Sequence, residues 1–224
     1  MNKLKEKLIS EGIKYIAIEG NIGSGKTTLS RLIAEETEAD LFLEEVDDNP
    51  FIEDFYEDMS SYAFQTQIFF LLNRYRQQKN IVQRNLFVDL LVADYIFDKD
   101  RIYANVLLPD EELGLYNRLL STLKGQIVYP DLVVYLQADI EVLRERIRKR
   151  GRSYERGITA DYLRDLNDAF NHFFFHYRES PLLIVNTDQL DFTAHREHVD
   201  DFFDQITTKF DGTRYYVPSW ESDL

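Results

Sequence analysis

The stretch Gly20-Asn21-Ile22-Gly23-Ser24-Gly25-Lys26-Thr27-Thr28 decides how the rest of the chain is read. It fits the phosphate-binding pattern G-x-x-x-x-G-K-[ST] without a gap. Ahead of it, Ile13-Lys14-Tyr15-Ile16-Ala17-Ile18 is short, apolar and β-branched, which reads as a buried parallel strand. Behind it, Leu29-Ser30-Arg31-Leu32-Ile33-Ala34-Glu35-Glu36 collects good helix formers, with Leu29, Leu32 and Ile33 on one face. Strand, glycine loop and helix in that order make a cradle. Backbone N–H groups converge on phosphate oxygens, and the helix N-terminus adds partial positive charge. Lys26 is expected to reach the β- and γ-phosphates of a triphosphate, and Thr27 to offer its hydroxyl to Mg²⁺. The loop therefore predicts a nucleoside triphosphate site; what becomes of the phosphate has to be read elsewhere.

At 224 residues, one α/β domain with ample core is expected. Hydrophobic residues make up 44% and aromatics 14%, which excludes a disordered chain. No apolar run approaches a membrane span, and the N-terminus lacks a signal-peptide apolar region. Zero cysteines exclude disulfides and thiolate metal sites and suit a cytoplasmic protein. A net charge of −14 argues against a nucleic-acid partner held through its phosphates.

Along the chain, residues 1–11 read as a charged, loosely held lead-in. Asp40-Leu41-Phe42-Leu43 is a second short strand, and Asp47-Asp48-Asn49-Pro50 caps a new helix with Pro50 in its first turn. A long helix runs from Ser60 or Ser61 to about Arg84, with Phe64, Ile68, Leu71, Leu72 and Tyr75 at helical spacing. Leu86 to Val92 gives a third strand by its end. Helices are expected from Tyr95 to Leu107 and from Glu111 to Leu123. Asp131-Leu132-Val133-Val134-Tyr135-Leu136 is the clearest strand, followed by a helix that Asp139 caps and that runs to Arg150. Thr159 opens a helix to about Arg178, Pro181 to Asn186 is the last strand, and Thr193 to Lys209 the last helix. Five strands alternating with helices imply a three-layer, doubly wound parallel sheet with ligands at the strands' C-terminal ends.

Three constellations stand beyond the loop. Glu44 ends the second strand, near the loop in such a sheet. It is either a carboxylate able to take a proton from an attacking hydroxyl or part of a solvated acidic turn with Glu45, Asp47 and Asp48. Seven basic residues fall between Arg144 and Arg156 of this acidic chain. They are either cationic decoration of a helix C-terminus, a nucleic-acid patch, or a mobile lid that brings guanidinium groups over a transferring phosphoryl. Gln65 places an amide among the aromatics of the long helix, where it can pair with a nucleobase edge. His172 and His176 stand four apart without a third ligand, so no metal role is read there.

These pieces, in this order, resemble the deoxyribonucleoside kinase family over residues 14–188. The resemblance rests on the phosphate loop and on Glu44-Glu45-Val46, where many members carry Glu-Pro-Val. It continues through Phe64-Gln65-Thr66, Asp94-Tyr95-Ile96-Phe97-Asp98-Lys99-Asp100-Arg101-Ile102-Tyr103-Ala104 and Arg150-Gly151-Arg152-Ser153-Tyr154-Glu155. It implies a phosphate-loop kinase fold, one domain over residues 1–224 with an arginine-rich lid at about 150–157, ATP and Mg²⁺ as cofactors, and a homodimer. It also implies phosphorylation of a deoxynucleoside 5′-hydroxyl, with Glu44 as general base. Gln65 would read the base, Tyr103 stack on it, and Tyr56 with Glu155 hold the sugar 3′-hydroxyl. Arg146 would lie near the donor adenine, and Arg150 and Arg152 on the transferring phosphate. The segment after Val185 would meet the adenine through its backbone.

Two departures stand out. Many members carry an acid-Arg-Ser motif after the third strand; here Ala93-Asp94-Tyr95 aligns, so Asp94 takes the metal role and the arginine has no counterpart. This variant resembles a bacterial branch whose members often act on purine deoxynucleosides. Seven positions after Gln65, where several members place a base-contacting Arg or Met, stands Leu72, with Arg74 two further along. The rivals are a nucleoside monophosphate kinase and a nucleotide-binding switch module. The first needs basic residues for the acceptor phosphate, which the 64–72 wall does not supply.

Overall fold

A computed structural model describes residues 2–84 and 89–218. Six strands form one parallel sheet: β1 (Tyr15–Gly20), β2 (Asp40–Phe42), β3 (Leu91–Ala93), β4 (Leu132–Gln137), β5 (Leu182–Asn186) and β6 (Thr213–Tyr216). Their spatial order is β2-β3-β1-β4-β5-β6. The helices are α1 (Lys3–Ser10), α2 (Lys26–Thr37), α3 (Ile52–Glu57), α4 (Met59–Arg84), α5 (Lys99–Leu107), α6 (Asp110–Leu123), α7 (Ile140–Arg150), α8 (Ala160–His176) and α9 (Arg196–Ile206).

The three layers follow from alternation along the strands. Ile16 and Ile18 of β1, Val134 of β4 and Val185 of β5 pack with Leu29, Ile33 and Phe202 of α2 and α9. Tyr15, Ala17, Val133, Tyr135 and Ile184 point the other way, into a core with Leu71, Tyr116, Phe170 and Phe174 from α4, α6 and α8. Burial on both faces makes the central strands read as continuous apolar runs. The order reverses beside β1, between β3 and β4, and leaves a crevice beyond the strands' C-terminal ends.

The sheet has one strand more than the sequence predicts. Residues 213–216 alternate between exposed and buried and pair parallel to β5, with Leu182↔Thr213 and Val185↔Tyr216 in register. An edge strand with one wet face carries no apolar run. The charged lead-in is also folded: α1 starts at an Asn2 cap and buries Leu8 completely. Helix starts shift too. Asp98, and not Tyr95, precedes α5; Tyr95 is fully buried in the turn after β3. Pro50 lies in the turn ahead of α3. Thr159 caps α8 through its hydroxyl, 3.1 Å from the Tyr162 N–H, whereas Asp139 stands at the start of α7 without such a bond. Of the predicted third strand, Leu86 to Val88 lie outside the described residues.

Candidate active site

A cleft of about 1020 Å³ opens above the C-terminal ends of β1, β2 and β3. Its floor is the phosphate loop. Gly23 has φ +83°, and a Cβ there would stand 2.8 Å from the Leu143 carbonyl and 3.0 Å from Ile147, so α7 packs against the loop only because the residue is glycine. Gly20 and Asn21 lie behind the lining, which begins at Ile22 and continues through Gly23, Ser24, Gly25, Lys26, Thr27 and Thr28. The Asn21 amide donates to the Leu163 carbonyl and to Asn167 at 2.8 and 2.7 Å, and its oxygen accepts the Ile22 N–H. The loop is thus pinned to α8. The Lys26 ammonium folds back and donates to the Gly20 and Asn21 carbonyls, both at 2.9 Å.

Glu44 faces the loop across this cleft, which decides between the two readings of its placement: it is not part of a solvated turn. A chain of two bonds ties it there. The Thr27 hydroxyl donates to Asp94 Oδ2 at 2.6 Å, and Asp94 Oδ1 accepts the Glu44 N–H at 2.7 Å. Thr27 and Asp94 present a hydroxyl and a carboxylate oxygen side by side, a hard-oxygen set that fits Mg²⁺ completed by phosphate oxygens and water. No group of three or more His, Cys, Asp and Glu among the described residues could hold a metal by itself.

The Glu44 carboxylate is clamped by two buried cations. Arg74 of α4 binds its Oε1, and the Lys99 ammonium of α5 donates to its Oε2 at 2.5 Å. Burial would raise the carboxyl pKa, but Lys99 and Arg74 together outweigh it and hold it at about 2. Arg74 reaches a second carboxylate, Asp100, and lies 5.3 Å over the ring of Tyr95. The arginine missing after the third strand is therefore replaced there by a tyrosine on which an arginine from another helix rests. Burial raises Asp100 to about 7 against the pull of Arg74, which is itself held firmly charged by Asp100 and Glu44. Glu19 completes the cluster: fully buried, it accepts the Gly20 and Ile96 N–H groups at 3.1 and 3.0 Å.

Gln65 lies outside the cleft lining, and its amide donates to the Ser61 carbonyl at 3.0 Å. Two residues on, Gln67 lines the cleft at 2% exposure, and its Oε1 has no hydrogen-bond partner among the described residues. Counted from Gln67, the residue seven positions along is Arg74. The spacing that the family resemblance led us to seek from Gln65 is present two residues later. Gln67, Leu71, Arg74 and Gln78 form one buried stripe of α4, whereas Leu72, expected in the apolar face, is 38% exposed. A polar stripe inside an aromatic helix was the available signal; an apolar periodicity search passes over it. Lys99 and Asp100, adjacent at the start of α5, are likewise buried charged residues that line the cleft.

Tyr56, Tyr103 and Glu155 all line the cleft. Tyr56 stacks on Tyr154 with centroids 5.6 Å apart, and its phenol is raised first by burial and then by Glu155. Glu155 is 4% exposed and takes a bidentate grip from Arg150, 2.7 and 2.8 Å from its two oxygens. Arg152 lies 3.6 Å from Glu155 and 3.7 Å from Asp47, and Tyr154 donates to Asp47 at 2.5 Å. Arg146 donates to the Thr187 hydroxyl and carbonyl at 3.0 and 2.6 Å and to the Leu190 carbonyl at 3.1 Å. It thereby joins α7 to the segment after β5.

Comparison with known proteins points to one family. A family model for deoxynucleoside kinases matches residues 16–210. A deoxyguanosine kinase of Bacillus subtilis is 32% identical over 187 residues, 81% of this chain and 90% of that protein. A deoxyadenosine kinase of Dictyostelium discoideum is 34% identical over 71% of this chain and 66% of its own length. Among solved structures, a deoxyadenosine kinase from M. mycoides with bound dATP superimposes with a TM-score of 0.77 at 26% identity, over 87% of this chain and all of that one. The chain belongs to the deoxynucleoside kinase family.

Proposed function

We propose that this chain transfers the γ-phosphoryl group of ATP to the 5′-hydroxyl of a deoxyribonucleoside, with deoxyadenosine and deoxyguanosine favoured. Family membership supports the reaction, and the names of the relatives support the purine preference. The observation that carries the chemistry is the Thr27–Asp94–Glu44 chain, which sets a carboxylate opposite the phosphate loop in one cleft. The new bond joins the 5′-oxygen to phosphorus as the bond to the bridging oxygen breaks, and ADP leaves. The hydroxyl proton passes to Glu44. Lys26 and the lid arginines Arg150 and Arg152 neutralise charge on the phosphates, and Thr27 with Asp94 would hold Mg²⁺, which would supply further positive charge there. Catalysis here is positioning and electrostatics.

On the acceptor side, Gln67 replaces Gln65 as the amide that reads the base, beside Arg74 and with Tyr103 as the stacking wall. Tyr56 and Glu155 hold the sugar 3′-hydroxyl. Arg146, the carbonyls after β5 and loop residues 20–28 hold the donor. Residues 150–157 form the lid of a single kinase domain spanning residues 1–224. A homodimer in the cytoplasm, without nucleic-acid or membrane partners, completes the reading. The net charge of −14 supports the lack of a nucleic-acid partner, and no described helix is long and apolar enough to cross a membrane.

The monophosphate kinase reading fares worse than it does on sequence grounds, although the acceptor side does contain cations. Arg74 is shared by Glu44 and Asp100, and Lys99 is bound to Glu44, so an acceptor phosphate would have to displace carboxylates. Radiolabelled ATP with the four deoxynucleosides and their monophosphates tests both. We expect phosphorylation of deoxyadenosine or deoxyguanosine above all others, and label transfer to monophosphates alone would overturn the assignment. Glu44→Gln should retain ATP binding and lose roughly 10²-fold or more in kcat, the usual share of a general base. Near-normal turnover would remove Glu44 from that role.

A further inference from the structure

Glu44 holds two cations where one would neutralise it, and the two differ in how they are fixed. Arg74 is 3% exposed, bridges Glu44 and Asp100, and lies over Tyr95, so three groups determine its position. Lys99 has one close partner, Glu44 Oε2 at 2.5 Å; Glu19 Oε1 is 4.0 Å away, and the Tyr103 ring centroid 5.9 Å. It lines the cleft, and it lies near enough to Lys26 for the two ammonium groups to repel one another. A lysine ammonium is a point charge on a flexible four-carbon stem, free to change partners where a bridging guanidinium is not.

The cluster's charges show where such a move would lead. Glu19, Glu44, Asp94 and Asp100 oppose Lys26, Arg74 and Lys99 in one buried group. Glu44 needs a free oxygen to receive an acceptor hydroxyl, and Arg74 already satisfies the other. The oxygen to be freed is the one Lys99 holds. The ammonium it releases lines the same cleft as the loop lysine and is close enough to interact with it.

We propose that Lys99 is a catalytic cation of the transfer: it guards Glu44 in the empty site and turns to the transferring phosphoryl oxygens when the acceptor hydroxyl takes its place on Glu44. This role rests on the phosphoryl-transfer reading above. It supplies from α5 the charge that no arginine supplies directly after β3.

The test uses the full chain with Lys99→Met, Lys99→Gln and Lys99→Arg. Steady-state kcat and KM are measured for the preferred deoxynucleoside and ATP, and nucleoside affinity by calorimetry. Lys99→Gln keeps a hydrogen-bond donor for Glu44 without the charge. It should lose about 10²-fold in kcat, as removal of one transition-state donor does, with nucleoside affinity within about threefold. Lys99→Met should lose at least as much, and Lys99→Arg should recover about tenfold of the loss. Should Lys99→Met fail to fold, the Gln and Arg variants carry the comparison. Wild-type kcat in Lys99→Gln, or a loss confined to KM, would reduce Lys99 to an ion-pair partner and overturn the proposal. In that outcome an active wild type leaves the kinase reading standing. A wild type that phosphorylates no deoxynucleoside removes both.

Discussion

Arg74 and Gln67 share one face of α4, seven residues apart, and both are nearly inaccessible to solvent. A buried amide oxygen without a partner costs about 1–3 kcal/mol unless a ligand completes it, which makes Gln67 a group waiting for a hydrogen-bond donor such as a nucleobase edge. We expect Gln67→Leu to lower kcat/KM for the preferred deoxynucleoside by roughly tenfold or more, one hydrogen bond's worth of discrimination. Gln65→Leu, whose amide only caps a turn of its own helix, should change it by less than about twofold. Equal effects would return the base-reading role to Gln65. The misplacement has a simple source. The pair Gln65 and Gln67 is two residues apart, about 200° around a helix, so the first faces away from whatever the second faces. Sequence similarity alone offers both, and burial separates them. Glu44, Tyr56, Tyr103 and Glu155 all fall in the cleft.

Among the elements, the proposed lid is held by contacts within the chain itself. Tyr154 donates to Asp47 and stacks on Tyr56, while Arg150 grips Glu155, so residues 153–157 are fastened to the turn before α3 and to α3 itself. Tyr154→Phe removes one hydrogen bond of about 1 kcal/mol and should shift the lid toward its open form about fivefold. Limited trypsin digestion at Arg150, Arg152 and Arg156 would register this as faster cleavage with the rest of the chain intact; an unchanged rate would show that the latch holds nothing. The basic run reads as a lid in sequence because its charges continue past the glycine that ends α7. Asp47, which holds it from outside, was not legible as its partner, since pairing across about a hundred residues leaves no local trace. The same reason hides α1 and β6. Each makes sense only against the sheet it covers, Leu8 on one face and Tyr216 at the edge. The central strands could be found because burial on both faces writes itself into every residue.

For the molecule as a whole, the sheet register brings the reaction together. Ala17 and Phe42 both pair with Ala93, where β2 and β3 end while β1 runs on to Gly20, so the phosphate loop, Asp94 and Glu44 leave from adjacent strands. A single packed sheet thus fixes donor and acceptor machinery in one frame, and the rest of the chain fills the two layers around it. That frame makes the Thr27–Asp94–Glu44 chain a channel of communication. A donor nucleotide that draws the Thr27 hydroxyl away leaves Asp94 with one free oxygen while the other still grips the Glu44 amide. The cost of rearranging Asp94 is then met once and shared by both ligands, which is the condition for positive linkage. Nucleoside affinity should rise severalfold when a non-hydrolysable ATP analogue is present, and ATP affinity should rise by the same factor with nucleoside bound. Thr27→Val should bring that factor to one, and calorimetry in both orders of addition would reveal a value that Thr27 does not control. Reciprocity of this kind would let whichever ligand arrives first prepare the site for the other.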